Sequence, residues 1–184
     1  MLEINLHPFP VINTERLTLR QTSEADVPEV FFLRSDKEVR KYIEKQACQS
    51  ADEALQHIRL LNNMWKDNEG ISWAVTLKGE DKMIGNIGIW NIQREHYRAE
   101  LGYALYPKHQ GKGIMSEAMK AVIDYAFNKM KLHSLEANVN PDNAASIAVL
   151  KKSGFVQEAL FKEHFYYNGV FYDSAIFSLL NTAS

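Results

Sequence analysis

Residues 107–117 read Pro-Lys-His-Gln-Gly-Lys-Gly-Ile-Met-Ser-Glu and connect a predicted strand to a predicted long helix. The strand is the mostly apolar stretch 98–106, and apolar residues at helical spacing from Ile114 to Met130 indicate the helix. Glycine at 111 and 113 allows backbone N–H groups to converge on one point, and the helix start adds partial positive charge. The segment therefore predicts a phosphate-type anion site; a tight turn that needs glycine for geometry alone is the alternative.

The side chains of this turn carry the charge that an anion site needs. Lys108, His109 and Lys112 lie within it, and the carboxylate that follows them is Glu117. The segment is not a Walker A loop, because Lys112 is followed by glycine rather than Ser or Thr. It also lacks the third glycine of the dinucleotide-binding fingerprint. Both of these nucleotide-binding classes are therefore excluded.

Alternating polar and apolar residues, helix caps and turn signals predict the other elements. Strands are expected at 15–20, 71–78, 82–91, 98–106 and 134–140, and Asn168-Gly169 predicts a hairpin of two more. Helices are expected after Ser23, after Ser50, from 114 to 130, and from Asn143 to Gly154. Because adjacent strands alternate with helical crossovers, the predicted fold class is α+β, with about seven strands in one mixed sheet.

Composition excludes several classes of protein. The chain has 184 residues, 46% apolar and 24% charged, so a single globular domain over residues 1–184 is expected. A formal net charge of −2 gives no strong field for nucleic acid. No apolar run reaches the roughly 20 residues of a membrane helix, and the first residues do not read as a secretory signal. Cys48 is the only cysteine, and the histidines have no metal-ligand spacing, so we expect a cytoplasmic protein without metal, nucleic-acid or membrane partners.

A family resemblance becomes specific at Gln110-Gly-Lys-Gly113-Ile-Met115. This stretch resembles the Gln/Arg-x-x-Gly-x-Gly/Ala motif of the GNAT superfamily of acetyl-CoA-dependent N-acetyltransferases, from which Met115 departs. Further landmarks resemble the family in its order: Arg16–Arg20, Ala99–Leu105, Asn143-Ala-Ala-Ser146 and Lys152-Ser-Gly-Phe155. Tyr167-Asn-Gly169 with Asp173 resembles the terminal hairpin of the ribosomal-protein alanine/serine N-terminal acetyltransferases, the RimJ/RimL-like branch. The resemblance covers residues 12–180.

The resemblance implies a single-domain GNAT-like fold, a mostly antiparallel sheet with helices on both faces and a splay between its central strands. Acetyl-CoA would be the co-substrate, held at its pyrophosphate by the backbone of the motif and along its pantetheine arm by the end of the preceding strand. The implied binding residues are Ala104, Leu105, Tyr106, Gln110, Gly111, Lys112, Gly113, Ile114, Met115, Asn143 and Lys152. For Asn143, a plain helix cap is an equal interpretation.

Glu100 is the first candidate for the base that deprotonates the acceptor amine. It lies in an otherwise apolar stretch, and strand alternation places it on the face of Gly102 and Ala104, whose small size leaves room for a substrate. A solvated carboxylate or a partner for Arg98 is the alternative. Deprotonating an α-amine at neutral pH costs on the order of 1 kcal/mol, against about 4–5 kcal/mol for lysine, so one carboxylate acting through water suffices for an N-terminus.

The acid that protonates the leaving thiolate is less evident. Many superfamily members have a Tyr where this chain has Leu150. The RimJ/RimL-like branch shares that departure, and there a Ser at the position of Ser146 is a proposed alternative. A first-turn hydroxyl bonded to backbone is the structural interpretation of Ser146. Cys48 is not expected to act as a nucleophile, because direct transfer from the thioester needs none.

The acceptor is expected to be the N-terminal α-amine of a protein or peptide. A small amine, such as a polyamine or an aminoglycoside, and a non-catalytic acyl-CoA-binding module are the alternatives. The early helices and the aromatic hairpin would flank the acceptor groove, with His57 on a solvated helix face. The hairpin aromatics, Phe165, Tyr166, Tyr167, Phe171 and Tyr172, are interpreted first as core and otherwise as a homodimer surface.

Overall fold

The computed structural model describes residues 1–182, which form eight strands and four α-helices. The strands are β1 (Ile12–Asn13), β2 (Leu17–Gln21), β3 (Ile71–Leu77), β4 (Met83–Gln93), β5 (Arg98–Leu105), β6 (Ser134–Val139), β7 (Val156–Tyr167) and β8 (Val170–Leu180). The helices are α1 (Val27–Ser35), α2 (Ala51–Lys66), α3 (Ile114–Asn128) and α4 (Ala144–Lys152). Every predicted element is present, and the two-residue β1 makes eight strands instead of about seven.

The strands form one sheet in the order β1-β2-β3-β4-β5-β6-β8-β7. Neighbouring strands are antiparallel except β5 and β6, which are parallel. A parallel pair needs a long crossover, and α3 provides it. The predicted α+β class with a mostly antiparallel sheet is therefore confirmed.

Helices cover both faces of the sheet. On one face α3 and α4 pack over the inward side chains of the central strands, in a core that includes Trp73, Met119 and Phe177. On the other face α1 and α2 enclose a smaller cluster that contains Val30 and Ile58. Cys48 is buried in this second cluster, where its thiol contacts a backbone carbonyl.

The pairing of β5 with β6 stops halfway along β5. Within the described residues it extends from Arg98 opposite Ser134 to Glu100 opposite Glu136. Beyond that point β5 continues to pair with β4 as far as Leu105, whereas β6 pairs with β8. We call the gap between residues 101–105 of β5 and 137–139 of β6 the splay. It begins at Glu100 and opens toward the start of α3.

The hairpin of β7 and β8 turns at Asn168 and Gly169, whose φ angles of 48° and 83° are those that a two-residue turn requires. The core interpretation of its aromatic side chains is wrong for Tyr166 and Phe171, which are 62% and 60% exposed. Both residues lie in the outer part of the hairpin, beyond Ala175, where the pairing of β8 with β6 ends, so this part of the hairpin extends past the rest of the sheet. Phe165 and Tyr172 are partly buried and stack on each other at 5.7 Å.

Candidate functional site

The turn between β5 and α3 has the backbone geometry of an anion cradle. After a 3₁₀ turn over Pro107–His109, Gly111 and Gly113 have φ angles of 72° and 74°, a region in which only glycine is unstrained. Gly113 is the N-cap of α3. The N–H of Gln110 donates to Pro107, but within residues 1–182 no protein acceptor binds the N–H groups of residues 111–115. We call these five N–H groups the cradle.

The cradle lies in positive surroundings. Lys108 and Lys112 are exposed on it, and burial followed by these two lysines lowers the pKa of His109. Glu117, in the first turn of α3, does not oppose this charge, because it binds Thr14 at 2.6 Å and forms an ion pair of 2.6 Å with Arg16. Burial acts to raise the pKa of Glu117, but these hydrogen bonds lower it overall.

Arg16 is a cradle-side cation that the sequence did not indicate. Its Nη1 donates to the carbonyl of Lys112 at 2.9 Å, and its Nη2 lies 3.4 Å from where a Cβ on Gly113 would be. Arg16 therefore holds the loop through the carbonyl of Lys112 and also pairs with the carboxylate of Glu117. A partner 101 residues away in sequence gives no local signal, and the Arg16–Arg20 stretch reads simply as a strand.

The other residues expected to bind the cofactor lie at α3 and α4. The side chains of Ile114 and Met115 are buried, so these residues contribute only their backbone N–H groups to the cradle. A Met in place of the Gly or Ala of the family motif at position 115 therefore leaves the cradle unchanged. Asn143 caps α4 by accepting a hydrogen bond of 3.1 Å from the N–H of Ser146. Lys152, in the last turn of α4, is exposed, and no hydrogen bond or ion pair joins it to the cradle in the described part of the chain.

Glu100 lies where the splay begins. Its carboxylate accepts hydrogen bonds from the indole N–H of Trp90 at 3.2 Å and from the Asn91 amide at 2.7 Å. Arg98 pairs with Glu136 rather than with Glu100, so the proposed Arg98 partnership is wrong. The Trp90 ring also covers Gly102, where a Cβ would lie 2.2 Å from the ring. Two donors thus hold the carboxylate in place and leave lone pairs for a further donor.

A pair of hydroxyl groups bridges the splay. Tyr103 of β5 contacts the Ser146 hydroxyl at 2.7 Å and the Ser146 carbonyl at 3.1 Å. Burial raises the pKa of Tyr103 to about 12, so the phenol keeps its proton at neutral pH. Leu150 is 1% exposed in the core, and its aliphatic side chain provides no acid at this position. The sequence did not single out Tyr103, because only the fold joins it to Ser146.

The face of β5 that carries Gly102 and Ala104 borders a cavity of about 240 Å³ beneath α1 and α2. Ala104, Gly102 and Trp90 line it, and Tyr106 lies beside it stacked on Phe32 with ring centroids 4.4 Å apart. Burial, followed by Glu29, raises the pKa of Tyr106 to about 12. We call this space the acceptor cavity.

His57 lines the acceptor cavity, so its expected place on a solvated helix face is wrong. Its Nε2 lies 3.3 Å from Nη1 of Arg34. Burial and then Arg34 lower the pKa of His57 to about 4. Neutral His57 accepts a hydrogen bond from the guanidinium and orients it.

Residues 16–156 match the family model of the acetyltransferase (GNAT) domain. The chain belongs to the GNAT acetyltransferase family. It is an acetyl-CoA-dependent N-acetyltransferase, as the curated relatives and the solved structures of this family also indicate.

Its relatives act on different acceptors. The chain is 33% identical over 172 residues to the uncharacterized N-acetyltransferase YoaA of Bacillus subtilis, covering 94% of this chain and 97% of the relative. It is 27% identical over 158 residues to the spermidine N(1)-acetyltransferase of Vibrio cholerae, covering 86% and 89%. Among solved structures, the ribosomal-protein-S5-alanine acetyltransferase of Vibrio fischeri superimposes with a TM-score of 0.83 at 29% identity, covering 94% and 97%. These relatives leave both protein and polyamine acceptors open for this GNAT enzyme.

Within residues 1–182, no group of three His, Cys, Asp or Glu side chains is arranged to hold a metal ion. No helix in the same residues has the length and apolar character to cross a membrane.

Proposed function

We propose that this enzyme transfers the acetyl group of acetyl-CoA directly to the N-terminal α-amine of a protein or peptide. The observation that carries the proposal is the splay, which begins at Glu100, is bridged by Tyr103 and Ser146, and opens toward the cradle. A donor site and an acceptor site thus meet at one carboxylate.

The cradle residues would bind the pyrophosphate of acetyl-CoA. The N–H groups of residues 111–115, at the positive end of α3, are matched to a group with several negative oxygens. The carbonyl of Leu105, which accepts from Gln110 at 3.3 Å, lies at the edge that the splay leaves free for the pantetheine arm. Ala104 and Tyr106, at the end of β5 that leads into the cradle, would lie beside the pantetheine arm.

Glu100 would accept the proton that the amine loses. The amine nitrogen attacks the thioester carbonyl, the carbon–sulfur bond breaks, and the amine proton moves to Glu100 directly or through one water. Because an α-amine has a pKa of roughly 7.7–8.0, about a tenth of it is already deprotonated at pH 7, so the base has only about 1 kcal/mol to supply.

Ser146 would give a proton to the departing thiolate and regain one from Tyr103, whose phenolate then takes a proton from solvent. The hydroxyl groups lie 2.7 Å apart, and Tyr103 is protonated at neutral pH, as an ordinary tyrosine is; burial raises its pKa further, to about 12. Tyr103 acts here through Ser146 and is a positioning residue. Asn143 holds the backbone of Ser146 and thereby sets the direction of its hydroxyl.

Glu100→Gln tests the proposal. We expect kcat with an Ala- or Ser-terminated peptide to fall by about 10²-fold, because a positioned base contributes at least that much, while the Kd of acetyl-CoA stays unchanged. Release of coenzyme A reports the rate, and calorimetry reports the Kd. Glu95→Gln is the matched control, since Glu95 is an exposed carboxylate outside the splay.

An acceptor panel separates the alternatives. N-terminal peptides, spermidine and an aminoglycoside are compared in the same coenzyme A release assay. Peptides are expected to have the highest kcat/KM. Binding of acetyl-CoA without transfer to any amine would show a non-catalytic binding module and contradict the proposal.

A further inference from the structure

The acceptor cavity is lined by cations. Arg34, Arg40 and Lys45 contribute to its wall, and among the described residues no carboxylate lines it. Within residues 1–182 no carboxylate oxygen lies within 4.0 Å of these three side chains. The nearby acids have other partners, since Glu44 accepts from Asn140 at 2.6 Å and Glu53 accepts from the N–H of Gln49 at 2.9 Å. Glu100 stands at the rim.

Arg34 is the central cation of this wall. It is partly buried, and burial is the largest cause that lowers its pKa; Arg40 lowers this pKa further, whereas Cys48 and Glu53 act in the opposite direction. A partly buried cation without a carboxylate partner costs free energy that an incoming anion would offset. His57, neutral at pH 7, orients the guanidinium without compensating its charge.

A buried hydroxyl without a partner lies in the same wall. Thr22 is 2% exposed and lines the cavity, and its Oγ1 has no hydrogen-bond partner in the described residues. A hydroxyl in this position is a donor for an acceptor oxygen. An anionic oxygen in the cavity would satisfy both this hydroxyl and the free guanidinium N–H groups.

The loop that carries the other two cations is fixed in place. The Lys45 carbonyl accepts hydrogen bonds from Arg40 and, at 2.8 Å, from the hydroxyl of Tyr167 on the hairpin. Glu44 ties the same loop to Asn140 just beyond β6. The positive wall is therefore built by contacts from α1, α2, the hairpin and the end of β6.

We propose that the acceptor cavity binds a carboxylate of the acceptor at Arg34, with Thr22, Arg40 and Lys45 around it, so that the enzyme selects amines that carry an acidic group and rejects polyamines. This inference rests on the proposed function. The carboxylate comes either from an acidic side chain near a peptide N-terminus or from the α-carboxylate of a free amino acid. A polyamine has the wrong charge for this wall, because like charges repel across a partly buried space.

The test compares kcat/KM for peptides that are identical except for an acidic, neutral or basic residue at the second or third position. Free amino acids and spermidine are measured in the same assay. Acidic peptides are expected to exceed neutral ones by roughly tenfold or more, as a charge-assisted hydrogen bond allows. A preference for free amino acids would identify the α-carboxylate as the anion and would at the same time overturn the peptide acceptor of the proposed function. Equal values for the three peptides, or a preference for spermidine, would overturn the proposal.

Arg34→Gln should reduce the acidic-to-neutral ratio of kcat/KM to about one, mainly because kcat/KM for the acidic peptide falls by roughly tenfold or more. Arg34→Lys should retain part of the preference for acidic over neutral peptides. Arg59→Gln is the control, because Arg59 lies on α2 outside the cavity and pairs with Glu24. If Arg34→Gln fails to fold, Lys45→Gln is used, and an unaltered ratio in the folded variant overturns the proposal. Transfer to all peptides without a charge preference refutes this inference alone, whereas no transfer to any amine refutes the proposed function.

Discussion

Tyr103 and Ser146 form a pair of hydroxyl groups. Each hydroxyl has the other as its partner across the splay, and in the proposed reaction the pair protonates the leaving thiolate. We predict that Tyr103→Phe and Ser146→Ala each lower kcat by roughly tenfold or more, with the KM for acetyl-CoA unchanged. The double variant should lose little beyond the Ser146 variant, because both groups serve one proton transfer.

Steady-state rates of the four enzyme forms provide this double-mutant cycle. Tyr125→Phe removes a phenol on α3 that packs against Trp73, and it should leave kcat unchanged. Fully additive losses from the two single variants would contradict the proton relay, and so would losses that appear in KM alone.

His57 makes stability depend on pH. Its pKa is about 4 in the folded protein and about 6.5 in the unfolded chain, so the unfolded state binds more protons between these values. The free energy of unfolding therefore decreases as the pH falls from 6.5 to 4. Between pH 7 and pH 5 this single group should lower the free energy of unfolding by about 2 kcal/mol. In His57→Gln this part of the pH dependence should be absent. Urea unfolding at both pH values measures it, with His133→Gln as an exposed control; identical pH dependence in the wild type and His57→Gln would refute it.

At the scale of elements, the cradle depends on two glycines in one turn. Gly111→Ala places a side chain at a φ of 72°, at a cost of about 1–2 kcal/mol, or else the loop rearranges. Either outcome moves the N–H groups, so we predict a Kd for coenzyme A that is at least roughly tenfold higher. Gly79→Ala is matched to it, because Gly79 has a φ of 84° and equally open space in a turn away from the site. Titration of both variants with coenzyme A in a calorimeter measures the two Kd values. Equal Kd values would show that the cradle does not bind coenzyme A.

The elements could be predicted from the sequence because their signals are local. Apolar spacing gave α3, alternation gave the strands, and Asn168-Gly169 gave the hairpin turn. The two-residue β1 has too short a pattern to be read. The cofactor side of the site was also local, since Gly111 and Gly113 lie in one turn.

The acceptor side was not predictable, because its contacts join distant residues. Arg34 and His57 are 23 positions apart, and Tyr103 and Ser146 are 43 apart. A helical pattern shows which residues share a face but not how far that face is buried. His57 was therefore assigned to solvent, although the loop before α2 and the end of β4 enclose it with Arg34.

At the scale of the whole molecule, the sheet separates the two positive regions of a near-neutral chain. The cradle is on the side of α3, whereas the acceptor cavity lies under α1 and α2. The splay begins at Glu100, where the pairing of β5 with β6 stops. In the proposed reaction, acetyl-CoA would occupy the first region and the acceptor amine the second.

The same architecture makes stability depend on the ligand. Across the splay the two halves of the sheet are joined by three residue pairs, from Arg98 to Glu100, so a ligand in the splay adds contacts where the strand pairing stops. At 100 times its Kd, coenzyme A should stabilise the fold by about 2.7 kcal/mol and raise Tm by roughly 5–10 °C. Pantetheine, which lacks the phosphates, should give a much smaller shift at the same concentration, because it leaves the cradle unfilled. Differential scanning calorimetry with both ligands tests this, and Gly111→Ala should lose the phosphate-dependent part of the shift. Equal shifts from coenzyme A and pantetheine would mean that the cradle contributes nothing to binding.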